Sequence, residues 1–470
     1  MTYCVSRWSV GRMLSRLPSL ACSFYSTFSS ASGTSLSKSS QKCCVLRTAK
    51  DGGEEEMKCT SSPTAPLFDF SEYLLSGCEW EQAPPLPDFI GPLCIRNTHD
   101  IRGRGLFALE DVRAGSTLLV SNPFALTYND SNSMRLYQEI ISMIKQSRKA
   151  LYQLASLAGY RDDLVVPPMD TFDPNVSVCD QMIQCIPELD QQRIVNVMNT
   201  NCFGGEVRLS DSQPAVQLNG LWLLPSFANH SCTPNANRLF VGKALLMIAS
   251  RDISMNEEVT ISYTNCLLPV RMREEQLDSL GCGFFCECQR CVEERSLEES
   301  LFDVTEPFES LHGEAVTELF SLVGKRINSS PTLPACIHLS KLFHALCKKL
   351  ESLYTITSLQ KKWTLASYSY AFLVKCFADY LSSGQKPSFC IHNRVLKLIE
   401  YMRCTMPGTM CTLSFIMMLV ESAKQQRVDI KLTQTLHRVA MDECIRVYGN
   451  QKTDVLHRLM EEALHSIPYL

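Results

Sequence analysis

Three groups of residues between Leu221 and Cys291 carry side chains able to do chemistry together. The first, Asn229-His230-Ser231-Cys232-Thr233-Pro234-Asn235, is a polar cluster placed directly behind the apolar run Leu221 to Leu224. The second is Tyr263, which closes the alternating, strand-like segment that begins at Glu257-Glu258. The third is the spacing Cys286-x-Cys288-x-x-Cys291. Tetrahedral zinc takes four ligands, with Zn–S bonds of about 2.3 Å, so three thiolates close in sequence need a fourth donor from elsewhere in the chain. Cys232 is the candidate for that donor. A site closed by four thiolates holds the fold together and does no chemistry of its own. The competing reading is three incidental thiols in a chain with 23 cysteines; the tight spacing beside Gly283, Phe284 and Phe285 favours the metal. Taken singly, Tyr263 reads as a strand residue and His230 as a structural histidine, so it is the combination that points to a site.

A fourth stretch lies upstream, Arg102-Gly103-Arg104-Gly105-Leu106-Phe107-Ala108. A Gly-x-Gly between strands lets the backbone approach a ligand closely. It is not a dinucleotide fingerprint, because no third glycine follows and no helix opens behind it.

The elements that must position these residues are short. Leu93 to Ile95 and Thr117 to Val120 read as strands, with a turn at Ala114-Gly115 between them. Residues 134–158 have apolar residues at three- and four-residue intervals, which predicts a helix, and a second helix is expected from Val178 to about Met198. Strands resume around Val207, Leu209, Leu218 and Leu221 to Leu224, then at Ala244 to Ile248 and Val259 to Tyr263. Beyond about Ser296 the pattern is all-helical. Leu339, Leu342, Phe343, Leu346 and Leu350 make one stripe, and Val455, Leu456, Leu459, Met460, Ala463 and Ile467 make another. Further helices are expected from Trp363 to Leu381 and from Leu432 to Tyr448. Paired helices of this kind suggest a bundle or solenoid, without a repeat consensus.

Composition narrows the class. The 470 residues suit two or three domains, and 45% hydrophobic with 20% charged residues is ordinary for a globular chain. A net charge of -4 argues against direct nucleic-acid binding, which calls for a basic face. No apolar run reaches the roughly 18 residues of a membrane span, and Leu413 to Val420 reads as a core helix. The cysteines are scattered, not arranged as a disulfide framework, which implies reduced thiols in an intracellular protein. On that ground the glycosylation sequon Asn229-His230-Ser231 is not expected to be used. Residues 1–50 contain no Asp or Glu and carry Arg7, Arg12, Arg16, Lys38, Lys42, Arg47 and Lys50 among many serines. Such a leader resembles an organelle transit peptide, mitochondrial for instance; the alternative is a disordered tail of a cytoplasmic or nuclear protein.

Taken in order, the four motifs resemble those of SET-domain protein-lysine methyltransferases, most closely the SMYD and TPR–SET branch. The resemblance covers roughly 89–291 by motif and 300–470 by architecture only. It implies an α+β fold: a split SET domain of short β-sheets over 89–268 with a helical insert at about 129–199, a zinc-binding post-SET segment over 269–295, and an all-α C-terminal domain over 296–470. Residues 1–58 would be the leader and 59–88 a linker. The implied activity is S-adenosylmethionine-dependent N-methylation of a lysine in a histone or non-histone protein by a monomeric enzyme. In the family the Gly-x-Gly turn, here Arg102, Gly103, Arg104 and Gly105, meets the methionine part of the cofactor. Asn229 and His230 would contact the cofactor, as would Asn201 in an Asn-Cys-Phe stretch. Phe284 would pack on the adenine, Tyr263 would be the catalytic tyrosine, and Cys232, Cys286, Cys288 and Cys291 would hold structural zinc. The alternative is an inactive SET scaffold that works through its helical domain.

Three positions depart from the family pattern. The insert holds only Cys179 and Cys185, so the MYND zinc finger of SMYD proteins is absent. Cys282 stands where many relatives carry a tyrosine of the lysine channel. Asn256 replaces a turn glycine, a change Asn tolerates because it too adopts left-handed backbone. For the leader, residues 1–50 fused to a fluorescent reporter should direct it into an organelle; a diffuse cytosolic signal would refute targeting.

Overall fold

A computed structural model of the chain describes residues 86–130, 133–161, 165–173, 176, 186, 190–207, 216–281, 284–323, 334–353, 356–369, 392–425 and 430–465. The leader, most of the linker, Cys179, Cys185 and Cys282 lie outside these residues, as do Leu209, Ile467 and the second half of the helix expected to end at Leu381.

Three small sheets make the first half. One has the order β1 (Phe89–Ile90), β4 (Thr117–Ser121), β10 (Ala244–Ala249), β9 (Ala236–Val241). The second runs β2 (Leu93–Asn97), β3 (Arg104–Ala108), β11 (Glu258–Ile261), β8 (Asn229–His230). The third runs β5 (Ala125–Tyr128), β7 (Val216–Leu221), β6 (Phe203–Val207). Pairing is antiparallel except for β8 with β11, which are parallel with Asn229 opposite Thr260 and His230 opposite Ile261.

Between β5 and β6 the chain makes α1 (Met134–Gln146), α2 (Arg148–Ala155) and α3 (Gln191–Asn201). The single helix expected over 134–158 is broken at Ser147. That residue is extended, at φ −142° and ψ 123°, and its Oγ accepts from the Ala150 N–H, so a good N-cap residue ends one helix and starts the next. The helix expected from Val178 is described from Gln191, where the Asp190 side chain caps Gln192 N–H. Leu221 to Leu224 is not strand throughout: the ladder stops at Leu221, and Leu224–Phe227 is a 3₁₀ turn with proline in its first turn.

After β11 come α4 (Val270–Ser279) and α5 (Gln289–Val323), the latter running across residue 295 without a break. The helices α6 (Pro334–Ser352), α7 (His392–Thr405), α8 (Met410–Gln425), α9 (Ile430–Tyr448) and α10 (Thr453–His465) follow, with a further helical segment at 358–369.

Strand β10 explains how the halves join. Its sequence, Ala-Leu-Leu-Met-Ile-Ala, is apolar throughout, and every residue is buried. Successive side chains of a strand point to opposite faces. Leu245, Met247 and Ala249 therefore enter the core of the sheets and insert, with Trp222, Phe240 and Leu106. Ala244, Leu246 and Ile248 enter a second core with Leu239, Val241 and Val120, built against α8, α9 and α10 through Leu413, Phe415, Ala440 and Leu456. Leu413 to Val420 is the core helix its composition suggested.

Polar contacts lock the same interface. Asn237 Nδ2 donates to the carbonyls of Pro407, Gly408 and Arg446, Arg446 Nη1 donates to Ser250 O, and Asn450 N–H donates to Gly115 O. Gly408 has φ +75°, and a Cβ there would collide with Asn237 Nδ2 and the Arg446 carbonyl. Gly281 has a similar φ of +67° with open space where its Cβ would stand. Gly281→Ala should therefore cost about 1 kcal/mol of backbone strain, and Gly408→Ala at least about 2 kcal/mol more. Urea unfolding midpoints of the two variants check this; equal values would show that the Gly408 interface is not tight.

Candidate cofactor cleft and metal centre

The parallel pairing of β8 with β11 brings residues far apart in sequence to one point. The Ser231 N–H donates to Ile261 O, and the ladder is then continued by a side chain, because the Tyr263 N–H donates to His230 Nδ1 at 3.0 Å. This is why β11 ends at Ile261 although the sequence pattern runs to Tyr263. A ring nitrogen that accepts from a backbone N–H carries no proton, so neutral His230 holds its proton on Nε2. Nε2 lies 3.2 Å from Cys232 Sγ. The Tyr263 hydroxyl donates to Ala228 O at 2.9 Å, and the His230 ring centroid lies 5.4 Å from that of Tyr263 and 6.4 Å from that of Phe284.

His230 also lines a cleft of about 390 Å³, together with Arg102, Ser231, Asn235, Glu258, Phe284 and others. Its size falls in the range of small-molecule sites. Its carboxylates (Asp100, Glu257, Glu258, Glu287) outnumber its guanidiniums (Arg102, Arg251), and Ile101 and Phe285 stand exposed at its edge. Arg102 bridges Asp100 at 2.6 Å and Glu258 at 2.7 Å. Its hydrogen bonds hold the Asp100 carboxyl down at about 2.

The Gly-x-Gly turn and Asn229 stand behind this lining. Gly103 has φ +76°. The Asn229 amide donates to Arg104 O at 2.7 Å and to Glu258 Oε1 at 2.8 Å. A Cβ at Gly105 would fall 2.6 Å from that same Glu258 oxygen, so the glycine makes room for the Asn229–Glu258 bond. Asn235, fully buried, ties Glu257 Oε1, Glu258 O and the Thr260 N–H together. The side chains of two expected residues have partners within the protein. Arg104 turns to the insert, donating to Ser156 O and Val165 O and stacking over Phe227 at 5.2 Å. The Asn201 amide donates to Ala158 O and Val197 O, and its carbonyl accepts from Ser226 Oγ, so it supports the 3₁₀ turn ahead of Asn229.

The four expected cysteines do come together. Their Sγ atoms all lie within 4.8 Å of one another, with Cys232 at 3.9 Å from Cys286 and 3.4 Å from Cys291. Four thiolates around zinc at about 2.3 Å stand about 3.8 Å apart, so the set fits a tetrahedral ion. The protonation pattern agrees. Cys291 is lowered to about 6, first by its hydrogen bond with Cys232 and also by the Arg273 guanidinium, whereas Cys286 is pushed far up, first by its hydrogen bond with Cys232 and then by Cys288 and Cys291. Four thiols so close cannot all ionise unless a cation shares them. His230, Cys232 and Cys266 form a second, overlapping group of possible ligands.

Several residues of the site carry no signal in the sequence. Arg273 and Arg290 are fully buried beside the cysteines. They fall in charged stretches, Arg-Met-Arg-Glu-Glu and Cys-Gln-Arg-Cys, where exposed side chains are the ordinary expectation. Glu258 and Asn235 were visible as parts of motifs, but their partners were not.

Comparison with known proteins identifies the domain. The SET-domain family matches residues 103–264, which contain the cleft-forming turn, the Asn-His pair and Tyr263. The chain carries a SET domain. The SET domain's relatives include human histone-lysine N-methyltransferase SMYD3, 45% identical over 74 residues, which are 15% of this chain and 17% of SMYD3. SET domain-containing protein SmydA-8 of Drosophila melanogaster is 38% identical over 100 residues, 21% of each chain. A methyltransferase of Gibberella zeae is 23% identical over 261 residues, 47% of this chain and 34% of that one. The matched stretch thus spans between 17% and 34% of each relative's length. The solved SET domain of LSMT bound to lysine and AdoHcy pairs with 85% of this chain and 93% of its own length at 12% identity, with a TM-score of 0.24. Among the described residues no helix is long and apolar enough to cross a membrane.

If the cysteine set holds zinc, Cys288→Ser should lower the metal content from about one ion per chain to near zero. Elemental quantification of the purified protein checks this, and full retention would remove Cys288 from the ligand set.

Proposed function

We propose that this protein is an S-adenosylmethionine-dependent protein-lysine N-methyltransferase of SMYD-like type. The observation that carries the reading is the fixing of Tyr263. Its main chain is held by His230, a residue of the cleft lining, and its hydroxyl by Ala228, the residue before the Asn229-His230 pair. The names of the SET-domain relatives favour catalysis over an inactive scaffold.

The cofactor, when bound, supplies an electrophilic methyl group on a sulfonium. The chain's residues do the rest. An excess of carboxylates in the cleft suits a cationic ligand. The turn at Gly103 to Gly105 offers main chain, His230 and Phe284 offer ring faces, and Asn229 and Asn201 hold the walls in place. A lysine amine must lose its proton before it can attack, which costs about 4–5 kcal/mol at pH 7. A desolvated approach lowers that cost. A tyrosine hydroxyl that donates to a carbonyl keeps lone pairs able to accept, so Tyr263 can orient the incoming amine. Alignment then supplies much of the rate. The zinc would be structural, pinning Phe284 beside His230 through Cys286 and Cys288. The acid-free leader supports an organellar protein as substrate over chromatin.

Calorimetry with S-adenosylmethionine and transfer of its labelled methyl group to lysine-bearing proteins test the proposal. Tyr263→Phe should lower transfer about a hundredfold or more while leaving cofactor binding nearly intact, and Asn229→Ala should weaken binding. Retained turnover would exclude Tyr263 as the catalytic residue. A folded, zinc-loaded protein that binds no cofactor would favour the scaffold.

A further inference from the structure

A buried ionic chain runs from the cysteine cluster into the C-terminal helices. Arg273 on α4 directs Nε to Cys232 Sγ at 3.2 Å and Nη2 to Cys291 Sγ at 3.4 Å. The same Nη2 meets Glu294 Oε2 at 2.6 Å. The other Glu294 oxygen accepts from Arg290 Nε at 2.8 Å. Arg290 then donates Nη1 to the carbonyls of Cys232 and Cys266 and Nη2 to Ser367 Oγ at 2.9 Å, and Ser367 Oγ donates in turn to Leu268 O. Both arginine side chains are 0% exposed and Glu294 is 7% exposed.

On the tetrathiolate reading, a cation in the cluster brings the buried charges close to balance. Four thiolates carry four negative charges and Glu294 a fifth, against two guanidiniums. A divalent ion reduces that imbalance to a single charge. Arg273 is held between the cluster and Glu294, and a buried charge that loses its partner is strongly unfavourable. Ser367 lies in the helical segment 358–369, remote in sequence from every cysteine of the cluster, and is 3% exposed.

We propose that Arg273, Glu294, Arg290 and Ser367 form an outer shell of the metal site that couples metal retention to docking of the C-terminal helical segment 358–369. Ion and helix then stabilise each other: loss of either loosens the other. The inference rests on the tetrathiolate reading of Cys232, Cys286, Cys288 and Cys291. Its distinctive feature is that a residue touching no sulfur governs how fast the metal leaves.

The test uses the full-length protein with zinc, a chromogenic chelator to follow release, and hydrogen–deuterium exchange. Ser367→Ala should release zinc about five- to tenfold faster than wild type, and Arg273→Gln faster still. Ser369→Ala is the control. Ser369 is equally buried in the same helical segment, but its hydroxyl donates to Leu365 O, so release should be unchanged. On chelation, exchange should rise in residues 358–369 as well as around 284–295. Wild-type protein that holds no zinc would overturn the tetrathiolate reading and the coupling with it. Zinc held, but released at the same rate from Ser367→Ala and wild type, would overturn the coupling alone. Exchange confined to 284–295 would do the same.

Discussion

Everything in the site depends on two residues of parallel pairing, Asn229 and His230 against Thr260 and Ile261. So short a ladder is weak by itself and survives because side chains extend it. His230 takes over as acceptor for the Tyr263 N–H, Asn229 is clamped by Glu258 and the Arg104 carbonyl, and Asn235 holds both Glu258 and Thr260. One strand end therefore serves two purposes. Its first residues shape the cleft, and Cys232, two residues on, reaches the cysteine triplet. Cleft and metal centre share a wall, with the Nε2 proton of His230 directed from one to the other.

The second organising element is β10. Because it is buried on both faces, the sheets that carry the motifs and the helices that follow them are parts of one packed body. The helices also reach the cleft's supports from below, through Arg446 on Ser250 and Asn237 on Gly408. Helix α5 begins inside the cysteine triplet and continues into the helical half, so the site's last segment and the C-terminal region are one rigid element at that point.

Much of this was legible in the residues. The four motifs meet or back one another, as their order suggested, and Cys232 does join the triplet. Asn256 has φ +65°, the left-handed conformation expected of it. What sequence could not give was partnership over distance. Periodicity reports which face of an element is apolar, so it found the core helices but gave no sign that Arg273 and Arg290 are buried. It also ran the last strand on to Tyr263, because nothing in the residue pattern shows that an imidazole replaces the next rung of the ladder. The side chain of Arg104, within the expected turn, reaches the insert, where Ser156 and Val165 offer carbonyls. Ser147 had a readable capping preference, outweighed by the continuous apolar rhythm around it.

The double burial of β10 has a consequence for where this chain can be divided. A fragment ending near residue 295 would keep all the motifs yet uncover Val120, Leu239, Val241, Leu246 and Ile248 together, an unbroken aliphatic surface on a sheet. Contiguous apolar surface of that kind seeks other copies of itself, and the fragment would be prone to aggregate. The boundary that motif order draws between a SET region and a helical region is thus not one along which the packing separates. As a matter of solubility the two are indivisible.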